Sequence, residues 1–200
     1  MFLREETRIR RNPKFQDTRV HVLLYFIPPK SCGLRQPDIQ FMKMVSNRVN
    51  VIPVIAKSDG LTSNEVEEIK STIKKQIQEH KIVVFNFPSD VEQDSFEMQT
   101  LNDELRKLIP FTVIGAENVA DNPRGRKYDW GRAEVDNVKH CDFSRLRSVV
   151  LGSHFDELKD VTSEIIYENY RTETLSRANT KEKLVERQST FASSIQEAVQ

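Results

Sequence analysis

The sequence predicts an α/β fold: a parallel sheet flanked by helices, then a small antiparallel excursion and a C-terminal helical region. Three observations predict it. Apolar runs such as VNVIPVI at 49–55 are continuous rather than alternating, as in strands buried on both faces. Segments with apolar residues at three- and four-residue steps separate these runs, so strands and helices take turns along the chain. Prolines punctuate the boundaries, at Pro28-Pro29 and again at Pro110.

The run RVHVLLYFI from Arg19 reads as a buried strand ended by the proline pair, and the polar loop KSCGLRQ follows it. Asp38 then opens a helix whose apolar residues Ile39, Met42 and Val45 recur at three-residue steps as far as Asn47. VNVIPVI is the second strand. Behind it, Thr62 and Glu65 form the T-x-x-E pattern of a capping box, and Val66, Ile69, Ile73 and Ile77 fall on one helical face. IVVFNF from Ile82 reads as a third strand. After an acidic loop at 90–94, Leu101, Leu105 and Leu108 share a register on a helix that stops before Pro110, and FTVIG from Phe111 is the fourth strand. From 117 to about 140 short polar segments with Asn122-Pro123 and Gly125 suggest the antiparallel excursion. Phe143, Leu146, Val149 and Val150, then Leu158, Val161 and Ile165, form a helical apolar face with a break near Gly152. Beyond 176 the chain is polar, and Leu184, Phe191, Ile195 and Ala198 fit either a frayed tail or the start of a coiled coil.

The 200 residues are 38% hydrophobic, enough for one globular domain with a tail. Lys and Arg total 30 and so do Asp and Glu, so the formal charge is zero and nothing pulls the whole chain toward nucleic acid or membrane. No nucleic-acid partner is expected. Cys32 and Cys141 match no zinc or disulfide spacing, which suits a reducing, cytosolic setting. Arg8, Arg10, Arg11 and Lys14 form a local basic cluster. It could attract anionic lipid head groups at roughly 1 kcal/mol per basic residue; with Glu5, Glu6 and Asp17 beside it, it reads more readily as a solvated connector. His21, His80, His140 and His154 are scattered and predict no metal site.

Two opposite charges, Lys57 and Asp59, stand at the end of the second strand, where doubly wound sheets place their ligands. An aspartate there can accept two hydrogen bonds from the N1 hydrogen and 2-amino group of guanine, donors that adenine lacks. A lysine two residues earlier can lay its aliphatic stem along the base. A surface ion pair in a strand-to-helix turn is the alternative.

With LYFIPP, VNVIPVIAKSDGLT, the GRKYDWG segment at 125–131, HCDF at 140–143 and HFDELKDVT followed by YENYR, all in order, the chain resembles the septins, filament-forming GTP-binding proteins of the cell cortex. The stretch FLREETRIRRNPKF is similar to fungal members. The resemblance implies a partial P-loop-GTPase-like domain over 1–175 that lacks its phosphate-binding part, and a polar helical or disordered tail over 176–200. It implies that Lys57 and Asp59 recognise guanine, that Gly115 brings backbone against the base, and that Arg126 reaches the base from the antiparallel excursion. It implies that Trp130 and Glu65 belong to a subunit interface, although a capping box explains Glu65 equally well. Cys32 stands where septins usually carry a histidine facing the neighbour's nucleotide. The region 142–171 would help form a second, nucleotide-free interface, and other septin subunits are the implied partners.

The departures are as telling. The six glycines stand at 33, 60, 115, 125, 131 and 152, so no G-x-x-x-x-G-K-[ST] loop occurs, and neither do the switch threonine and D-x-x-G elements. No phosphate cradle and no magnesium ligand are therefore expected, and GTP or GDP would be held weakly, by the base. The expected role is a structural septin subunit in cytokinesis, cytoplasmic and located at a septin ring, bud neck or cell cortex, without hydrolysis by this chain. A slow GTPase in a longer chain and a nucleotide-free partner-binding remnant are the alternatives. Met1 falling within a septin-like segment predicts a truncated chain, with apolar sheet edges left uncovered.

Overall fold

A computed structural model describes residues 17–87, 96–118 and 123–177. They fall into two units, Val20–Thr162 and residues 17–19 with 163–177. The basic cluster at Arg8, Arg10, Arg11 and Lys14 and the tail beyond 177 lie outside the described residues.

The first unit is built on a parallel sheet in the order β1 (Val22–Ile27), β2 (Asn50–Ile55), β3 (Phe111–Thr112). The register pairs Val22 with Asn50 through Ile27 with Ile55 on one side, and Val54 with Phe111 on the other. Every residue of β2 is buried, and its side chains alternate between two cores. Val51 and Ile55 join Ile39 and Met42 of α1 (Gln36–Val45) and Ile69, Ile73 and Ile77 of α2 (Ser63–Glu79). Ile52 and Val54 face the other way, into Phe85, Phe87, Phe111, Leu105 of α3 (Phe96–Leu108) and Leu146 of α4 (Phe143–Ser148). Each fully buried side chain of this size contributes roughly 1.5–3 kcal/mol. Among the described residues β1 pairs with β2 alone, and its Phe26 is 56% exposed.

The segment expected as a third strand does not form a ladder. Residues 82–87 run beside β2, and the Phe85 N–H donates to the Val51 carbonyl at 2.9 Å. A parallel bridge between Ile52 and Phe85 also needs the N–H of residue 53 to reach the Phe85 carbonyl. Residue 53 is proline and has none, so the bridge cannot close. Apolar burial by Phe85 and Phe87 holds the segment instead.

Two helices also depart from expectation. α1 begins at Gln36, two residues before Asp38, because Asp38 caps from inside the first turn: its Oδ2 accepts the Arg35 N–H at 3.0 Å, and Pro37 suits a first-turn position where no donor is needed. On α3, Leu105 is buried but Leu101 is 37% exposed; the buried partner is Asn102, whose Oδ1 meets His154 Nε2 at 2.8 Å. α2 starts as expected. The expected break near Gly152 is a widened π-type turn, Val149–Ser153, between α4 and α5 (Phe155–Asp160). The antiparallel excursion is the hairpin of β4 (Gly125–Tyr128) and β5 (Gly131–Glu134). At Gly125 the strands approach so closely that a Cβ would lie 2.2 Å from the Ala133 carbonyl oxygen.

In the second unit, residues 163–177 are helical, and Ile165 is exposed rather than continuing the apolar face. Arg19 serves this unit as a clasp: its guanidinium pairs with Asp17 at 2.6 Å, donates to Ser163 Oγ at 3.2 Å and lies over the Tyr167 ring at 5.1 Å.

Candidate functional site

β2 ends at Ile55, and the chain turns immediately. Lys57 takes a left-handed conformation (φ 54°, ψ 44°), unusual for a side-chain-bearing residue and costing on the order of 1 kcal/mol. Ser58–Gly60 then forms a single 3-10 turn, pinned to β3 because the Ser58 N–H donates to the Val113 carbonyl at 3.2 Å. The reversal leaves Lys57 exposed and sends Asp59 inward, its side chain 1% exposed.

The Asp59 carboxylate meets the hairpin. Arg126 Nη1 donates to Oδ2 at 3.3 Å, and the Tyr128 hydroxyl donates to the same oxygen. Oδ1 is buried with no hydrogen-bond partner. The Arg126 guanidinium is held more firmly protonated than usual, first by its hydrogen bond with Tyr128 and then by the Asp59 charge. Gly115 lies three residues beyond the end of β3, and a Cβ on it would sit 3.8 Å from Arg126 Nη2, an ordinary contact. Asp59, Gly115 and Arg126, which the resemblance groups around one base, lie together here.

The other expected site residues are placed differently. Trp130 sits at the hairpin tip, 69% exposed, with its ring stacked on Tyr128 at 4.8 Å and 8°. Glu65 closes the capping box of α2: its Oε2 accepts from Thr62 N and Thr62 Oγ1, both at 2.8 Å. Those hydrogen bonds hold its carboxyl below the usual range. Cys32 is exposed in the loop after β1, where its carbonyl accepts from Gln76 Nε2 of α2 at 3.1 Å.

Tyr128 is the residue that sequence reading passed over. Its signal was strand parity: Arg126 and Tyr128 stand two apart on β4, so a strand that aims one at Asp59 aims the other there too.

Beside Asp59 a cleft of about 400 Å³ opens between the first turns of α2 and the hairpin, with Val66, Lys70, Trp130, Ala133 and Asp142 in its lining. Its floor is an ionic lock. Lys70 Nζ lies 3.1 Å from Asp142 Oδ2 and donates to the Leu108 carbonyl at 3.1 Å, while the same Asp142 oxygen accepts from Thr112 N and Oγ1 at 2.9 and 2.7 Å. This fixes α2 against β3 and leaves Lys70 committed to the protein. Cys141 also faces the cleft, but burial pushes its thiol up and its Sγ donates to the Val135 carbonyl at 3.2 Å, so it is no nucleophile. Among the described residues, no group of three or more His, Cys, Asp or Glu side chains could hold a metal ion.

The family model described as Septin matches residues 1–184. The septin homolog spn3 of Schizosaccharomyces pombe is 45% identical over 178 residues, covering 87% of this chain and 48% of that protein. Cell division control protein 11 of Saccharomyces cerevisiae is 44% identical over 180 residues, covering 87% and 43%. The crystal structure of Cdc11 from the same yeast superposes with a TM-score of 0.58 at 35% identity, over 78% of this chain and 65% of that one. The chain spans about half the length of these two relatives.

Proposed function

The chain belongs to the septin family, and on that footing we propose that it is a structural subunit in cell division that reads a guanine base through Asp59 without hydrolysing nucleotide. Its partners are other septin subunits, and its place is the septin ring, bud neck or cell cortex. Relatives named cell division control protein and septation protein support the division role.

One observation carries the base-reading part: a buried carboxylate with one oxygen held by Arg126 and Tyr128 and the other without a partner. An unsatisfied buried acceptor costs about 1–3 kcal/mol, which a ligand donor would remove. Guanine brings two donors on one edge, N1–H and the 2-amino group, and both lone pairs of Oδ1 are open to receive them. Gly115 supports the same reading, since nothing in the protein's own packing demands glycine there while a base lying against the backbone would. Lys57, exposed on the same turn, has a stem long enough to cover the base. Trp130, Glu65 and Cys32 are the interface candidates. The Arg8, Arg10, Arg11 and Lys14 cluster is a candidate contact for anionic lipid.

The chain has no Gly-rich phosphate loop and no Ser or Thr poised for magnesium beside one, so affinity rests on the base. Calorimetric titration with guanosine, inosine and adenosine tests this. Guanosine is expected to bind more tightly than inosine, which lacks the 2-amino group, and adenosine not at all; Asp59→Ala is expected to abolish the difference. Equal binding of all three would overturn the reading, and retention of a septin partner by an empty Asp59→Ala chain would favour a purely partner-binding role.

A further inference from the structure

Tyr128 touches both the buried carboxylate and the exposed aromatic tip of the hairpin. Its hydroxyl donates to Asp59 Oδ2, and its ring lies nearly parallel to that of Trp130 at 4.8 Å. The two contacts use opposite properties of one side chain, the polar tip for the buried acid and the flat face for the indole. Arg126 shares Oδ2 from the same strand face, so two donors turn the carboxylate plane and leave Oδ1 as the oxygen without a partner. Phenol rings are rigid. A displacement of Trp130 that carries the Tyr128 ring with it must also move the hydroxyl, and with it the aim of Oδ1.

We propose that Tyr128 is the positioning residue of the base reader and couples it to Trp130, so that occupation of Asp59 and burial of the Trp130 face against another molecule influence each other. The ligand arm of this proposal rests on the guanine reading above; the coupling of Asp59 to Trp130 does not. By linkage the influence is reciprocal: whatever partner surface favours the stacked position of Trp130 also favours ligand on Asp59, by the same factor.

The chain contains a single tryptophan, so its emission reports Trp130 alone. In the full 200-residue chain, guanosine is expected to shift Trp130 emission. Tyr128→Phe keeps a ring for the stack and removes only the hydroxyl. It is expected to raise the guanosine Kd about tenfold, the scale of one lost hydrogen bond to a charged group, and to abolish the emission response while leaving the circular dichroism unchanged. Trp130→Ala, which does not touch Asp59, is expected to weaken guanosine several-fold. Wild-type affinity and response in Tyr128→Phe would overturn the proposal. Should calorimetry detect no guanosine binding at all, the guanine reading fails, and the coupling is read in the ligand-free chain. There Asp59→Asn is expected to change the Trp130 fluorescence lifetime when Tyr128 is present and to leave it unchanged in combination with Tyr128→Phe. An equal change in both backgrounds would refute the link.

Discussion

Asn50, the first residue of β2, donates through its side-chain amide to the carbonyl of Leu158 in α5 at 2.9 Å, joining positions 108 apart in sequence. The same nitrogen reaches the His21 carbonyl at 2.9 Å and Thr162 Oγ1 at 3.1 Å, so one buried amide ties the central strand to its neighbour's approach and to the C-terminal helices. Asn50→Ala removes these hydrogen bonds from a buried site and is expected to cost about 1–3 kcal/mol. Asn50→Asp is expected to cost more, since it sets carboxylate oxygens against the His21 and Leu158 carbonyl oxygens. Urea unfolding of the three proteins ranks them, and equal midpoints for wild type and Asn50→Asp would contradict the assignment.

Stability is expected to fall on the acid side for a reason located at α1. Hydrogen bonds from the Arg35 side chain, foremost, hold the Asp38 carboxyl down at about 2 against the opposing effect of burial, with help from the Tyr25 hydroxyl at 2.7 Å. A carboxylate whose folded value lies below its unfolded one stabilises the fold above roughly pH 4 and loses that contribution as the pH drops toward 2. The difference is about 2 kcal/mol. Tyr25 works in the opposite sense: burial, then the Asp38 hydrogen bond, raises its hydroxyl to about 12, so its share persists through neutral pH and is lost only as the pH climbs from about 10 toward that value. Urea midpoints between pH 2 and 7 are expected to drop along the acid limb in wild type and to be flatter, and lower at pH 7, in Asp38→Asn.

Two glycines near the candidate site are expected to separate folding from binding. Gly125→Ala places a Cβ against the Ala133 backbone 2.2 Å away, so the hairpin must open and withdraw Arg126 and Tyr128 from Asp59; loss of near-ultraviolet dichroism from the Tyr128–Trp130 stack is the readout. Gly115→Ala meets only Arg126 Nη2 at 3.8 Å, so the unfolding midpoint is expected to hold while guanosine binding weakens about tenfold, the equivalent of ~1.4 kcal/mol. A fall in stability without a change in binding would show that Gly115 serves packing alone.

The sequence by itself determined what is local. A continuous apolar run made β2 a doubly buried strand, Thr62 and Glu65 formed their capping box three residues apart, and Lys57 and Asp59 stood at a strand end because the run stops there. Periodicity, capping and turn chemistry act over a few residues, and a linear reading can see them. Only the tertiary structure decided that residues 82–87 form no ladder, since the obstacle is a missing N–H on Pro53, some thirty positions earlier and on another strand. It likewise replaced Leu101 by Asn102 on the buried face of α3, because His154 waits there for its Oδ1. Arg126 and Tyr128 reach Asp59 across 67 and 69 intervening steps of chain. Which distant donors satisfy a buried acid depends on how strands pair and helices pack, and it was packing that pinned one oxygen of Asp59 and left the other open.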